Sequence, residues 1–316
     1  MDKVTTPKVE IPAHNPRWDR WSYRIGCPVW GCRQWSGQVY PSGTQTDDYL
    51  KWYSHSFPTV EGNSTFYAVP PKSTFQKWRD SSAETFQFSF KFPRKISHEL
   101  RLTRCDVELN EWLDRLSVLH EANRLGPTFL QLAPSFSFRY FPQLETFLKK
   151  LPTDWPWAVE VRHQDWFDKS DKEFRLNELL QGLGIDRVLF DSRPLNSRSA
   201  SDDLESTSQA RKPKSPFRTT ITGRRPMLRL IGRNDAAEVA SYWDQWSEQI
   251  AKWIREGLQP WIFTHAPDDK FAPGLARLLH ELVRLHLPEL PSLPDCFGLN
   301  QDRDNKPSEM TQLRLF

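Results

Sequence analysis

The chain has 316 residues, 38% hydrophobic and 26% charged, with a net charge of +3, a balance that suits one globular domain carrying polar appendages. No apolar run approaches the ~20 residues a bilayer-spanning helix needs, and residues 1–16 lack the apolar stretch of a secretory signal. A cytoplasmic protein with no membrane role is the expectation. The four cysteines, Cys27, Cys32, Cys105 and Cys296, show no Cys-x-x-Cys spacing and read as reduced thiols, which argues against structural zinc.

In chain order, short apolar segments at 24–30, 59–65, 87–93, 127–133, 157–163, 186–191, 227–232 and 260–265 read as strands. Stretches with apolar residues three and four apart lie between them and read as helices: 46–57, 74–82, 106–125, 141–151, 172–183, 236–258 and 271–287. Strand alternating with helix implies parallel pairing through right-handed crossovers. Eight strands and seven helices suit a (β/α)8 TIM-like barrel, which needs about 250 residues. The first strand is followed by no Gly-x-Gly-x-x-Gly turn, which counts against a dinucleotide site. The expected organisation is an N-terminal arm (1–23), a barrel domain (24–290) and a polar tail (291–316).

Residues two apart on a strand share a face, and seven of the eight segments end in polar residues on one such face. These are Glu61 and Asn63, Lys91, Gln131, Glu160 and Arg162, Asp191, Arg229, and His265. Barrels of this kind keep their sites at the C-terminal ends of the strands. Charges facing the axis there must pair with one another or with a ligand. The sequence therefore nominates Glu61, Lys91, Glu160, Asp191 and His265 as catalytic candidates. Asn63, Tyr67, Gln131, Arg162, Trp166 and Arg229 are candidates for substrate contact.

The chemistry of these residue types favours an anion. Arg162 and Arg229 offer planar forks for phosphate or carboxylate, and a desolvated Lys91 can act as a nucleophilic amine. No cofactor is expected. A divalent metal on Glu61, Glu160, Asp191 and His265 is the lesser option, because three cations share the same ring. Between Arg193 and Pro226 lies a Ser-, Pro- and Arg-rich segment with eight basic and three acidic residues and no helical or strand periodicity. It reads either as a solvated linker or as a flap that attracts anions to the mouth.

Several stretches resemble one known family. They are Ile25-Gly26-Cys27-Pro28-Val29-Trp30, Tyr40-Pro41, Val60-Glu61-Gly62-Asn63-Ser64-Thr65-Phe66-Tyr67, Phe88-Ser89-Phe90-Lys91-Phe92-Pro93 and Val159-Glu160-Val161-Arg162-His163 with Trp166. Together they are similar to the YecE-like family, a domain of unknown function (number 72), and the resemblance implies a barrel from about Arg24 to Leu287. Two departures stand out. The seventh strand reads Arg229-Leu230-Ile231-Gly232 where the family usually has Arg-x-His-Gly, and the eighth ends in Thr264-His265-Ala266 where asparagines are usual.

The functional expectation is binding or processing of a phosphorylated or nucleic-acid ligand at the barrel mouth, as a hydrolase or lyase. A non-catalytic nucleic-acid-associated protein and a carbohydrate-active hydrolase using paired carboxylates are the alternatives. The residues Gln312-Leu313-Arg314-Leu315-Phe316 resemble the short peptide by which bacterial replication and repair proteins dock on the DNA sliding clamp. In that reading Leu315 and Phe316 fill an apolar pocket, Leu313 packs beside them, and the Gln312 amide bonds at the rim. A synthetic peptide of residues 308–316 should then bind a bacterial sliding clamp at micromolar affinity by calorimetry, and replacing Leu315 and Phe316 by Ala should abolish it; no heat from the native peptide refutes the assignment.

Overall fold

Eight short parallel strands form the centre of the computed structural model, which describes residues 16–294. They are β1 (Arg24–Cys27), β2 (Thr59–Gly62), β3 (Gln87–Phe90), β4 (Thr128–Gln131), β5 (Trp157–Glu160), β6 (Asp186–Asp191), β7 (Met227–Ile231) and β8 (Trp261–His265). They pair in the order β3-β2-β1-β8-β7-β6-β5-β4. Single bridges between Phe88 and Leu125 and between Lys91 and Phe129 join the two ends, helped by the Phe92 N–H donating to the Phe129 carbonyl at 3.0 Å. The sheet thus closes into the expected (β/α)8 barrel and keeps no free edge.

The helices are α1 (Tyr49–Ser56), α2 (Lys72–Ser81), α3 (Asp106–His120), α4 (Phe141–Leu148), α5 (Asp171–Leu183), α6 (Asp203–Arg211), α7 (Ala237–Arg255) and α8 (Ala272–His286). Burial follows the sequence period. On α7 the buried Val239, Trp243, Trp246, Ile250 and Trp253 recur every three or four residues. Helix α3 stops short of the predicted 125, and Asn123 just beyond it takes a left-handed φ of 55°. Strands β1 to β5 are three residues shorter than expected, chiefly because the chain leaves the ladder where the mouth loops begin.

Inside the barrel, Phe129, Ala158, Val188, Met227, Trp261 and Phe263 form a separate apolar cluster. The alternation that aims these side chains inward puts Gln131, Glu160, Arg229 and His265 one step above them on the same face. On β6 the same alternation selects Val188 and Phe190. Asp191 therefore points outward into the helix layer, where it accepts from the Trp246 indole at 2.8 Å and pairs with Arg193 at 2.8 Å. The expectation that Asp191 faces the axis is corrected by one residue of register.

The basic segment departs most from expectation. It contains α6, an eighth helix with no clear apolar stripe, capped by Asp202, whose side chain accepts from the Glu205 N–H at 2.8 Å. Its fold comes from buried ionic anchors. Glu205, 1% exposed, pairs with Arg233 and accepts from Ser201 N–H at 3.0 Å. Further along, Arg218 reaches Glu173 at 3.0 Å and the Phe167 carbonyl at 2.6 Å, while Arg193 lies over the Phe217 ring at 4.0 Å. The segment is a roof anchored to the barrel and its helices and not a solvated linker.

The first residues of the expected tail also pack. Leu293 is buried, and Arg277 donates to the Pro294 carbonyl at 3.0 Å. Cys296 and the candidate docking residues Gln312, Leu313, Leu315 and Phe316 lie outside the described residues, as do positions 1–15 of the arm. Cys27, Cys32 and Cys105 are free thiols.

The roof anchor has a measurable consequence. Arg233→Met should lower unfolding stability in urea by about 3–5 kcal/mol, because it strands the buried Glu205 carboxylate. Replacing both Arg233 and Glu205 by Met should restore most of that loss. A single-variant cost no larger than that of a surface ion pair would mean the anchor is not a buried one.

Candidate functional site

The mouth is organised around the guanidinium of Arg229, carried inward by β7 and 3% exposed. Its Nε and one terminal nitrogen donate to the two oxygens of Glu61 at 2.8 and 2.7 Å, and the other terminal nitrogen donates to Glu160 at 2.6 Å. Glu160 also pairs with Arg162, which donates to the Gln131 amide oxygen at 2.9 Å. Asn63 donates to Glu61 at 2.8 Å and to the Pro28 carbonyl at 3.1 Å. His265 Nε2 faces Glu61 at 3.3 Å. Phe129 and Phe190 lie 5.0 and 5.8 Å from the Arg229 guanidinium and wall it off from below.

This packing decides which groups are charged. Burial pushes the Glu61 carboxyl upward, but Arg229 and then His265 outweigh it and hold the group well below the usual carboxylate range. Burial opposes ionisation of Glu160 in the same way, yet Arg162 and Arg229 bring it down to about 2. His265 is pushed down to about 4, chiefly by burial. Its Nε2, facing the ionised Glu61, takes the donor role.

Two ammonium groups stand apart from this network. Lys91, just after β3, has its Nζ 3.7 Å from the centroid of the Phe66 ring, and among the described residues it makes no ion pair. Burial, with repulsion from Arg229, lowers it to about 7. Lys212, at the end of α6, is also unpaired among the described residues, and burial followed by repulsion from Arg229 lowers it to about 8. Both line one open cavity of about 500 Å³, together with Asn63, Phe66, Tyr67, Gln131, Arg162, Arg229, His265 and Asp269. The Asp269 carboxyl is raised by burial. Five basic side chains, Lys91, Arg162, Arg211, Lys212 and Arg229, therefore meet three carboxyl groups, Glu61, Glu160 and Asp269, at the mouth, leaving it short of negative charge.

Most residues singled out in the sequence converge here, with two exceptions. Asp191 belongs to the helix layer. Trp166 is fully buried, donates to the Phe136 carbonyl at 2.8 Å and packs on Phe138, so it supports the loop after β5 and does not reach the cavity. Tyr67 is 81% exposed and forms the rim. Among the described residues no three His, Cys, Asp or Glu side chains cluster as a metal site; of the four considered for a metal, Glu61, Glu160 and His265 gather around Arg229 and Asp191 lies apart. Lys212, Phe66 and Asp269 were missed. Lys212 lay in plain view inside the basic run, but nothing local separates it from Lys214; only the roof geometry does, and it brings Arg211 to the same cavity.

A closed (β/α)8 barrel with a cationic, roofed mouth is the class of protein defined by this fold and site. The chain belongs to the family described as "Protein of unknown function DUF72", whose model matches residues 24–295. It is 36% identical over 270 residues to the UPF0759 protein YecE of Escherichia coli K12, covering 85% of this chain and 96% of that one. It is 30% identical over 151 residues to the UPF0759 protein YunF of Bacillus subtilis 168, covering 45% and 51% respectively. In three dimensions it is similar to a DUF72 family protein of Enterococcus faecalis V583, with a TM-score of 0.62 and 16% identity over 86% of this chain and 98% of the other. It is also similar to one of Thermotoga maritima MSB8, with a TM-score of 0.61 and 21% identity over 84% and 99%. These last likenesses concern the fold.

The network fixes how stability should respond to pH. Arg162 and Arg229 hold Glu160 at about 2 against an ordinary 4.5, so its stabilisation is complete above the unfolded value and is lost as pH falls towards about 2. Arg229→Met, which strips the buried Glu61 of its arginine and leaves Glu160 with Arg162 alone, should cost about 3–5 kcal/mol at pH 7. The gap to the native protein should narrow as the pH drops and those carboxylates gain protons. Thermal melts in which the gap is constant with pH would show that Arg229 does not hold Glu61 and Glu160 ionised.

Proposed function

We propose that the barrel mouth binds a small phosphate-bearing anion between Lys91 and Lys212, with Arg162 flanking it. The observation that carries this reading is two ammonium groups lining one cavity, neither with a carboxylate partner among the described residues. Holding them charged in a half-closed site costs free energy that a bound anion offsets. Arg229 is the organiser of the site, because three of its donors are already committed to Glu61 and Glu160.

The same charges weigh against the carbohydrate alternative. Glycoside hydrolysis needs one carboxyl protonated as general acid, whereas Glu61 and Glu160 are both held ionised by arginine. Nucleic-acid association draws support from the exposed Tyr67 ring at the rim and from the basic residues of the roof. The sliding-clamp partnership is supported by the peptide Gln312–Phe316 alone.

Calorimetry with inorganic phosphate and pyrophosphate provides the test. The native protein should bind, and Lys91→Met and Lys212→Met should each weaken binding by roughly tenfold or more, the loss expected of one charge-assisted hydrogen bond. Added salt should weaken native binding. Equal affinity in the native protein and both variants would refute the assignment.

A further inference from the structure

Lys91 is placed for more than holding charge. Its backbone is fixed on both sides, with the N–H donating to the Gly62 carbonyl at 3.1 Å and the carbonyl accepting from Thr65 Oγ1 at 2.8 Å. The side chain projects inward, is 9% exposed, and ends in the cavity against the face of Phe66. The carboxylates that would otherwise capture an ammonium, Glu61 on β2 and Glu160 on β5, are occupied by Arg229 and Arg162. Among the described residues no carboxylate forms an ion pair with the amine.

Resting on the anion-binding reading above, we propose that Lys91 forms an imine with a small carbonyl compound that carries an anionic group, such as an α-keto acid or a phosphorylated aldehyde. Lys212 and Arg162 hold the anionic end while the carbonyl carbon meets Nζ. The neutral amine attacks that carbon, forming a C–N bond as the carbonyl π electrons move to oxygen. A proton passes from nitrogen to oxygen to give a carbinolamine. Loss of that oxygen as water, with one further proton, leaves the C=N bond, so one water is released for each imine formed. The protonated imine withdraws electrons from the adjacent carbon, which is what cleavage or formation of a neighbouring C–C bond requires.

The surroundings let Lys91 exchange between ammonium and free amine near neutral pH. The charged and titratable groups that act on Lys91 are Arg229 on β7, Glu160 and Arg162 at the end of β5, and Glu61 on β2, with His98 in the turn after β3. Their charges largely cancel, since two arginines offset two carboxylates and His98 is itself lowered to about 4 by burial and then by Lys91. Desolvation is left to set the balance, and it acts against the ammonium. Lys212 is the less suited of the two amines, because it sits on the roof segment and contacts the ligand from outside the barrel wall.

Reductive trapping tests this directly. The full chain is incubated with glyoxylate or pyruvate and sodium borohydride and analysed by intact mass and peptide mapping. The expected result is a mass gain equal to the ligand less one oxygen atom, located at Lys91, with a labelling rate that reaches half its maximum near pH 7. Lys91→Arg should remove the adduct while its thermal melt confirms a folded protein, and Lys212→Met should slow labelling at least severalfold. Labelling of Lys212, or of surface lysines as fast as Lys91 with both compounds, overturns the proposal. Phosphate binding without labelling of Lys91 overturns the imine and leaves the anion site standing. Labelling of Lys91 in a protein that binds no phosphate overturns the anion anchor instead.

Discussion

A single guanidinium placed between two carboxylates on the axis of the barrel governs the rest of this structure. Arg229 and Glu61 are 3% and 0% exposed, and Glu160 is 1% exposed. Charges so far from water persist only when each lone pair and proton is matched, and the bidentate contact to Glu61 with a third bond to Glu160 provides that match. Arg162, Asn63, Gln131 and His265 complete the shell. Such a network adds little net stability over apolar packing. Its effect is to commit both acids, so that the basic groups brought to the mouth by β3 and the roof are left without partners.

The roof shows the same physics applied to a segment poor in apolar residues. A polar stretch cannot offset its ordering entropy by burying hydrophobic surface. Here the offset comes from buried ion pairs to the barrel and its helices, Glu205 with Arg233 and Arg218 with Glu173, and from the stacking of Arg193 on Phe217. Anchoring at several points holds α6 over the cavity and places Lys212, the residue that follows it, at the site. A loosely attached segment would supply the same charge without the position.

Barrel architecture and site chemistry divide the labour along the strands. The lower interior is an apolar plug around Phe129, Trp261 and Phe263, which keeps the barrel a packed core and not a pore. Two residues further along β4, β5, β7 and β8 the interior becomes polar, at Gln131, Glu160, Arg229 and His265. The low-dielectric plug beneath Arg229 strengthens the interactions above it and lowers the proton affinity of Lys91, so the floor contributes to the chemistry that the mouth can support.

Periodicity in the sequence determined the strands, seven of the helices and the barrel, because side-chain alternation and helical spacing are local properties that burial enforces everywhere along the chain. It also determined most of the mouth, since Glu61, Lys91, Gln131, Glu160, Arg162, Arg229 and His265 follow from strand parity and the rule that barrel sites lie at C-terminal strand ends. Three things were decided only by the tertiary structure. Asp191 faces outward because Val188 and Phe190 fill the interior, and a one-residue choice of parity at a strand end has no local signature. Helix α6 exists because partners remote in sequence, above all Arg233, neutralise a buried acid that no periodic pattern announces. Lys212 joins the site because that helix is held over the cavity, and charge in a sequence carries no information about where a fold will bring it.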